Sequence, residues 1–386
     1  MKGTVNPGCA FFRRHFISYS EELQKGMVTM NGNLTESMGT AYTGGGLSHK
    51  YEHLIQQAAT TVFIKSPPTF ALSNILNELA IFYVKRGYDV DRFRSPLHIE
   101  KTDGIYVKGP ELFYIAASYP VPLEPTDLGG KHRVVSFYDV YDETKLRANN
   151  PQIAGHLEEA ATYLEKALAA LFEAKSIHDE WETVNIRRMD WKAHEAKIQS
   201  LATDLFGTLD LHKSAAVSHR IIGSLSSKGA HDFIPSITKS LKRRILIKAL
   251  PGTGKSTMMR ALGEEAEKRG IDVLYGWCGL DAGSIDLVQF PELSVCLFDA
   301  TEPHMYDAER ESDEILDLVA MCAPSEKAEQ EIDEIRLRYK EAIANAAGYM
   351  QSYARLTSQI DAGMDSALDL KAFHEKAEQL TELIAP

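Results

Sequence analysis

The chain repeats itself. Residues 64–90 align with residues 247–273 without a gap, at a constant offset of 183. Ile64, Lys65, Pro68, Ser73 and Leu79 meet Ile247, Lys248, Pro251, Ser256 and Leu262. Lys85-Arg86-Gly87 then matches Lys268-Arg269-Gly270, and Asp89-Val90 matches Asp272-Val273. After a length change of two residues, Pro110-Glu111-Leu112 meets Pro291-Glu292-Leu293. A register kept through strand, loop, helix and second strand marks a duplication, so both halves must be able to adopt one fold.

The order of elements follows. In each half a helix (51–58; 233–241) leads into a β-branched run (61–64; 244–247) and a loop. A helix stopped by Gly87 or Gly270 comes next, then a short strand, then an apolar run at 113–117 or 294–298. Strands alternating with helices of this length predict a parallel sheet with helices on its faces. Both halves finish with long helices. Leu157, Ala161, Leu164, Leu168 and Leu171 recur at helical spacing before a further helix at 191–205. Ile332, Ile335, Tyr339, Ile343 and Ala346 do the same before a last helix at 370–384. These read as helical hairpins or bundle helices, with a solvated or partner-binding polar face. The expected class is α/β: two tandem P-loop NTPase-like parallel-sheet domains, residues 1–210 and 211–386, each with a helical extension.

One loop carries recognisable chemistry. Pro251-Gly252-Thr253-Gly254-Lys255-Ser256-Thr257 lies between a strand-like run and a helical pattern. That is the context in which successive backbone N–H groups wrap phosphates at the start of a helix. Gly252 and Gly254 let the backbone turn and approach closely. Lys255 is the expected ligand of the β- and γ-phosphates, Ser256 of Mg²⁺, and Thr257 lies near the α-phosphate. Ala249 stands where GxxxxGK[ST] begins with glycine, leaving the core of the motif intact.

The partner of such a loop is an acidic residue at the end of a neighbouring buried strand, and 294–298 followed by Asp299 supplies it. Asp299 is the Walker B candidate, sharing the metal with Ser256. Beyond it, Glu302 is placed to orient an attacking water or hydroxyl and His304 to sense the γ-phosphate; each is also suited to capping a helix or lying on the surface. Asp281, Ser284 and Asp286 follow the C-terminal end of a strand, the edge where ligands bind in open α/β sheets. They are candidates for holding an acceptor hydroxyl or Mg²⁺-bound water, or for a turn that opens a helix. Trp277 is a core residue or a base-stacking one. No [NT]KxD tetrapeptide reads guanine, which favours ATP.

The first half lacks these groups. Thr69, Ala71, Leu72 and Asn74 stand for Gly252, Gly254, Lys255 and Thr257, and Ser118 is expected opposite Asp299. A degenerate, pseudo-ATPase first domain without nucleotide is the expectation. Its retained apolar pattern points to a structural partner; Arg92 and Arg94 are the candidates for an arginine lent to the live site.

Composition sets the limits. A net charge of −12 argues against nucleic acid held by general electrostatics. Cys9, Cys278, Cys296 and Cys322 form no metal-ligand grouping, and Cys296 reads as core. No apolar run approaches the roughly 18–20 residues of a membrane span, and residues 1–16 lack the apolar region of a signal peptide. A reducing, cytoplasmic location is the default expectation.

Three stretches resemble a known family. They are 249–257, Cys278-Gly279-Leu280-Asp281-Ala282-Gly283-Ser284-Ile285-Asp286, and Asp299-Ala300-Thr301-Glu302-Pro303-His304. They look like a bacterial family of tandem P-loop proteins, largely from Gram-positive spore formers, described as ATP-binding or nucleotide-kinase-like. The family has the Cys-x-x-Asp…Ser-x-Asp and Asp-x-Thr-x-Pro-His blocks and a glycine-rich loop in both halves; here the first loop is degenerate. The resemblance implies the fold and ATP binding, and no particular reaction. Two functions remain open at this level. One is a Mg-ATP hydrolase or small-molecule phosphotransferase; the other is a nucleotide-gated switch engaging a protein through its helical extensions.

Overall fold

The computed structural model describes residues 32–382. Cys9, the segment 1–16 and Ile384 lie outside the described residues.

In the first half the chain runs β1 (Leu34–Met38), β2 (Thr40–Thr43), β3 (Gly46–His49), α1 (Tyr51–Gln57), β4 (Thr60–Lys65) and α2 (Phe70–Lys85). It continues through β5 (Val90–Arg94), β6 (Thr102–Val107), β7 (Leu112–Ala116), β8 (His132–Ser136), α3 (Glu143–Arg188) and α4 (Trp191–Phe206). The second half lays down β9 (Val217–Ile221), β10 (Gly223–Ser226), β11 (Gly229–Asp232), α5 (Ile234–Ile237), β12 (Arg243–Lys248) and α6 (Lys255–Lys268). There follow β13 (Val273–Trp277), β14 (Ile285–Phe290), β15 (Val295–Asp299), β16 (Asp313–Asp317), α7 (Glu326–Asp365) and α8 (Leu370–Glu382).

Twelve strands form one sheet in the order β16-β12-β15-β14-β13-β9-β1-β5-β6-β7-β4-β8. The order is a palindrome of two sixes, joined where Met38 of β1 meets Ile221 of β9 antiparallel. The sheet is mixed rather than parallel, because β6 and β14 run against both their neighbours. Residues 285–290 are buried on both faces and pair with β13 and β15, so Ser284 and Asp286 sit at a strand start and open no helix. The helix expected over 233–241 is reduced to the single turn Ile234–Ile237. Leu241 instead packs under the sheet with Leu246 and Phe298.

The repeat keeps its register from the first strand of each half through β7 and β15, and shifts by two residues only before β8 and β16. Ile64 pairs with Ala116 as Ile247 pairs with Asp299, and Glu111 and Ser294 both take positive φ at the strand entrance. The offset is therefore 183 across β7 and β15, and the Pro-Glu-Leu match two residues out of phase is coincidental. Ala116, not Ser118, stands opposite Asp299.

Strand β12 shows why these runs are apolar at every position. Ile245 and Ile247 pack on α6 and α4, while Leu246 packs with Cys296 and Phe298 on the other face. Cys296 is fully buried, as its surroundings required.

The long helices do not form a hairpin within each half. α3 and α7 lie antiparallel against each other, tied by Arg188–Glu329, Arg338–Glu180 and Arg355–Glu159 at 2.5, 2.5 and 3.5 Å. Their seam on α3 includes Ile153, Ala160, Ala167, Ala174 and Trp181 at heptad spacing, and the three alanines in its middle permit close approach. Leu157, expected in that seam, is exposed. The terminal helices then cross over. Leu201 and Phe206 of α4 join the second-half core with Met258 and Leu262, and Phe373 and Leu380 of α8 join the first-half core with Leu76 and Tyr83.

Candidate functional site

Between β12 and α6 the backbone makes the turn for which its glycines are suited. Gly252 and Gly254 have φ of 78° and 82°, the left-handed region that penalises side chains. Close packing adds a second reason. A Cβ at Gly252 would lie 2.3 Å from the Glu182 carbonyl oxygen, and one at Gly254 2.5 Å from His194 Nε2. Thr253 is buried beneath, its hydroxyl donating to the Leu250 carbonyl at 2.8 Å. Helix α6 makes its first backbone bond from the Met258 amide to the Gly254 carbonyl at 2.9 Å. The amides of Lys255, Ser256 and Thr257 thus lie before the helical ladder begins.

The charged groups converge on this turn. The Lys255 ammonium lies 2.5 Å from the Asp299 carboxylate at the end of β15. Burial disfavours the ammonium, but Asp299 outweighs it and holds the Lys255 pKa above the ordinary lysine value. Asp299 also accepts from the Thr301 amide at 3.0 Å and from its hydroxyl. Ser256 accepts the Ile285 amide at 2.9 Å, fixing α6 to the start of β14.

Behind them lies a buried relay. His304 Nδ1 is 2.8 Å from Asp232 and its Nε2 is 3.5 Å from Asp286, while the Tyr306 hydroxyl donates to Asp232 at 2.6 Å. Burial opposes the imidazolium, yet hydrogen bonds and charges from the two carboxylates push its pKa up to about 10. Asp286, whose carboxylate burial would raise, is held below its ordinary value by His304. Burial, with Asp286 beside it, pushes the Cys278 thiol well up, so that sulfur stays protonated.

A cavity of about 690 Å³ opens onto this cluster. Its wall includes Pro251, Gly252, Gly254, Lys255, Ser256 and Thr257, together with Asp281, Ser284, Asp286, Asp299, Glu302 and His304. The loop residues and the acidic, serine and histidine candidates are therefore brought to one place, while Thr253 lies under the loop. Glu302 is exposed and 3.8 Å from Lys340. Asp281 accepts the Gly283 amide at 3.0 Å and lies 3.5 Å from Lys175. Trp277 is not in the wall; its indole N–H donates to His219 at 3.1 Å. Arg92 and Arg94 are not there either, since both pair with Glu36 at 2.6 and 2.5 Å on the first-half sheet.

What the sequence did not disclose is the opposite wall. It comes from α3, α4 and α7, with Lys175, His178, Trp181, Arg336, Tyr339 and Lys340 among its residues. Two further side chains grip the loop from outside. Asn185, fully buried, donates through Nδ2 to the Pro251 carbonyl at 2.7 Å and accepts from Arg188 Nε at 3.0 Å. His194 Nε2 meets the Gly254 carbonyl at 3.1 Å and so carries the proton. No local motif marks these residues, because they reach the site only when the helices cross between halves.

The matching place in the first half is closed. Ser73 still accepts the Thr102 amide at 2.8 Å, the exact counterpart of the bond at Ser256. Without glycines, however, α2 starts at Phe70, two residues earlier than α6 does by the repeat, and absorbs the loop. Leu72 replaces the lysine. Lys101 then pairs with Asp361, donates to the Pro68 carbonyl at 3.1 Å and lies over the Phe70 ring at 4.2 Å. A buried internal ion pair occupies the position.

Compared with protein-family profiles, curated proteins and solved structures, the chain gave no match in any of the three. Among the described residues no helix is long and apolar enough to cross a membrane.

Proposed function

We propose that this protein binds a magnesium nucleoside triphosphate, ATP in the first instance, at the second-half loop. In this reading it transfers the γ-phosphoryl group to water or to a small acceptor in the same cavity. The observation that carries the reading is the Lys255–Asp299 pair at the mouth of a glycine turn whose following amides precede the helical ladder. The donor set fits the metal, since a serine hydroxyl and a carboxylate are hard oxygen ligands. Ser256 and Asp299 would hold the ion, which when bound neutralises charge on the phosphate oxygens.

The chain's own residues supply the rest. Lys255 exchanges Asp299 for phosphate oxygens and keeps its proton, because the phosphate charge takes over the role that Asp299 has in the empty site. Amides 255–257 bind the remaining oxygens. Asp286 and Asp281 line the cavity, which has room for an acceptor hydroxyl beside them. His304, bonded to Asp286 and Asp232, orients Asp286 as a charged acceptor.

A second reading rests on the grip of Asn185 and His194. Ligand binding at the loop would shift the α3–α4 elbow, giving a nucleotide-gated switch. Phosphate release from ATP with Mg²⁺, with and without cell extract, separates the two. Turnover raised by small metabolites supports transfer, and turnover raised only by a protein fraction supports the switch. No binding by wild-type protein refutes both.

A further inference from the structure

Large apolar side chains left exposed on a folded surface need a reason when they sit in a concave wall. Among the described residues, Ile186 and Trp191 are the only exposed large apolar ones that also line the cavity. Trp191 is 41% exposed although it opens a helix whose other large apolar residues, Ile198, Leu201, Leu205 and Phe206, pack into the second-half core. Its position is fixed from two sides. The indole N–H donates to the Ile186 carbonyl at 3.1 Å, and the ring lies edge-on to His194 with centroids 5.4 Å apart. The same ring adjoins the phosphate loop, for a Cβ on Gly254 would stand 3.1 Å from Trp191 Cζ3.

We infer that Trp191, with Ile186 beside it, is the platform on which the nucleotide base stacks. The inference rests on the phosphate-loop reading of Lys255 and extends it to the other end of the ligand. In such a loop the β- and γ-phosphates lie at the lysine and the α-phosphate at the first turn of the helix. Ribose and base therefore leave from the Thr257 side, and Thr257 is exposed to the cavity that Trp191 lines. Because α4 packs alongside α6, its first residue comes to the start of that helix. A rigid indole offers a π-face to any base at little entropic cost, and Ile186 adds an aliphatic edge.

The first half offers a contrast. The helix that crosses onto it, α8, begins after Asp369 as α4 begins after Asp190, but its first residue is Leu370. The half with a lysine-free loop has no ring at this place. Since α3 and α4 belong to the first half of the chain, the degenerate half contributes the base site of the live one. Stacking reads a π-face rather than hydrogen-bonding edges, so ATP and GTP bind with similar affinity.

The test is titration of the full chain with Mg-ATP, Mg-GTP and inorganic tripolyphosphate, using wild type, W191F and W191A. The expected result is a loss of about tenfold or more in affinity for both nucleotides in W191A, with tripolyphosphate binding unchanged. W191F, which keeps a ring, stays within a few-fold of wild type and loses the quench of tryptophan fluorescence that nucleotide produces. W191A binding ATP as wild type does overturns the proposal. So does an equal loss for tripolyphosphate, which would make Trp191 a support of the loop only. Wild type binding neither ATP nor tripolyphosphate refutes the phosphate-loop reading itself, and the base site with it.

Discussion

At the scale of the residue, the site depends on charges buried against each other. His304 gives a measurable case. Its imidazolium is stabilised by Asp232 and Asp286, and its pKa stands at about 10 against an ordinary 6.5. The stabilisation is whole below the ordinary value and is lost as pH rises through about 10. It is worth on the order of 4 kcal/mol at the acid end. Thermal melts between pH 7 and 10.5 should show wild type losing stability faster than His304→Gln, which cannot titrate. Parallel profiles would contradict the charge assignment. Asp299, Lys255 and Ser256 stood out in the sequence because the phosphate-loop pattern and its acidic partner prescribe residue types, and the structure gathers the three at one turn. Asp232 was not. It is held to His304 only by the fold, 72 positions away in the chain.

Among the elements, the elbow between α3 and α4 matters most, because it fixes the loop without belonging to it. Asn185→Ala leaves the Pro251 carbonyl and one face of Arg188 without their partner in a buried place. A loss of about 1–3 kcal/mol in unfolding free energy is expected, with weaker ATP binding by titration. Unchanged affinity would show that the loop holds its shape alone. Sequence reading found β4, β5, β7, β12, β13 and β15, since apolar, β-branched runs buried on both faces look alike in any context. On α3 it placed Leu171 in the seam and Leu164 and Leu168 beside it, but it also chose the exposed Leu157 and Ala161 and passed over the alanines at 160, 167 and 174. Close helix packing selects small residues, and a search for large apolar ones looks past them. The antiparallel β14 escaped notice because Asp286 and Gln289 break up its apolar run, although both lie within the strand.

For the whole molecule, duplication was plain in the sequence, but the crossing of the helices was not. A repeat shows which elements recur and is silent on which copy they pack against. The crossing makes each core a joint product, Phe206 filling one and Phe373 the other. Residues 32–207 expressed alone should lack a cooperative melt, and coexpression with 208–386 should restore a soluble complex on size exclusion. A sharp melt for the first fragment alone would contradict the shared cores. The crossing also gives the first half a part in the second-half cavity: its own loop is absorbed into α2, yet its helices α3 and α4 wall that cavity. The central claim is one nucleotide site per chain, at Lys255. Calorimetric titration with Mg-ATP tests it most directly. The account predicts one site per chain, lost in Lys255→Ala and retained in Leu72→Ala; two sites, or binding that survives Lys255→Ala, would contradict it.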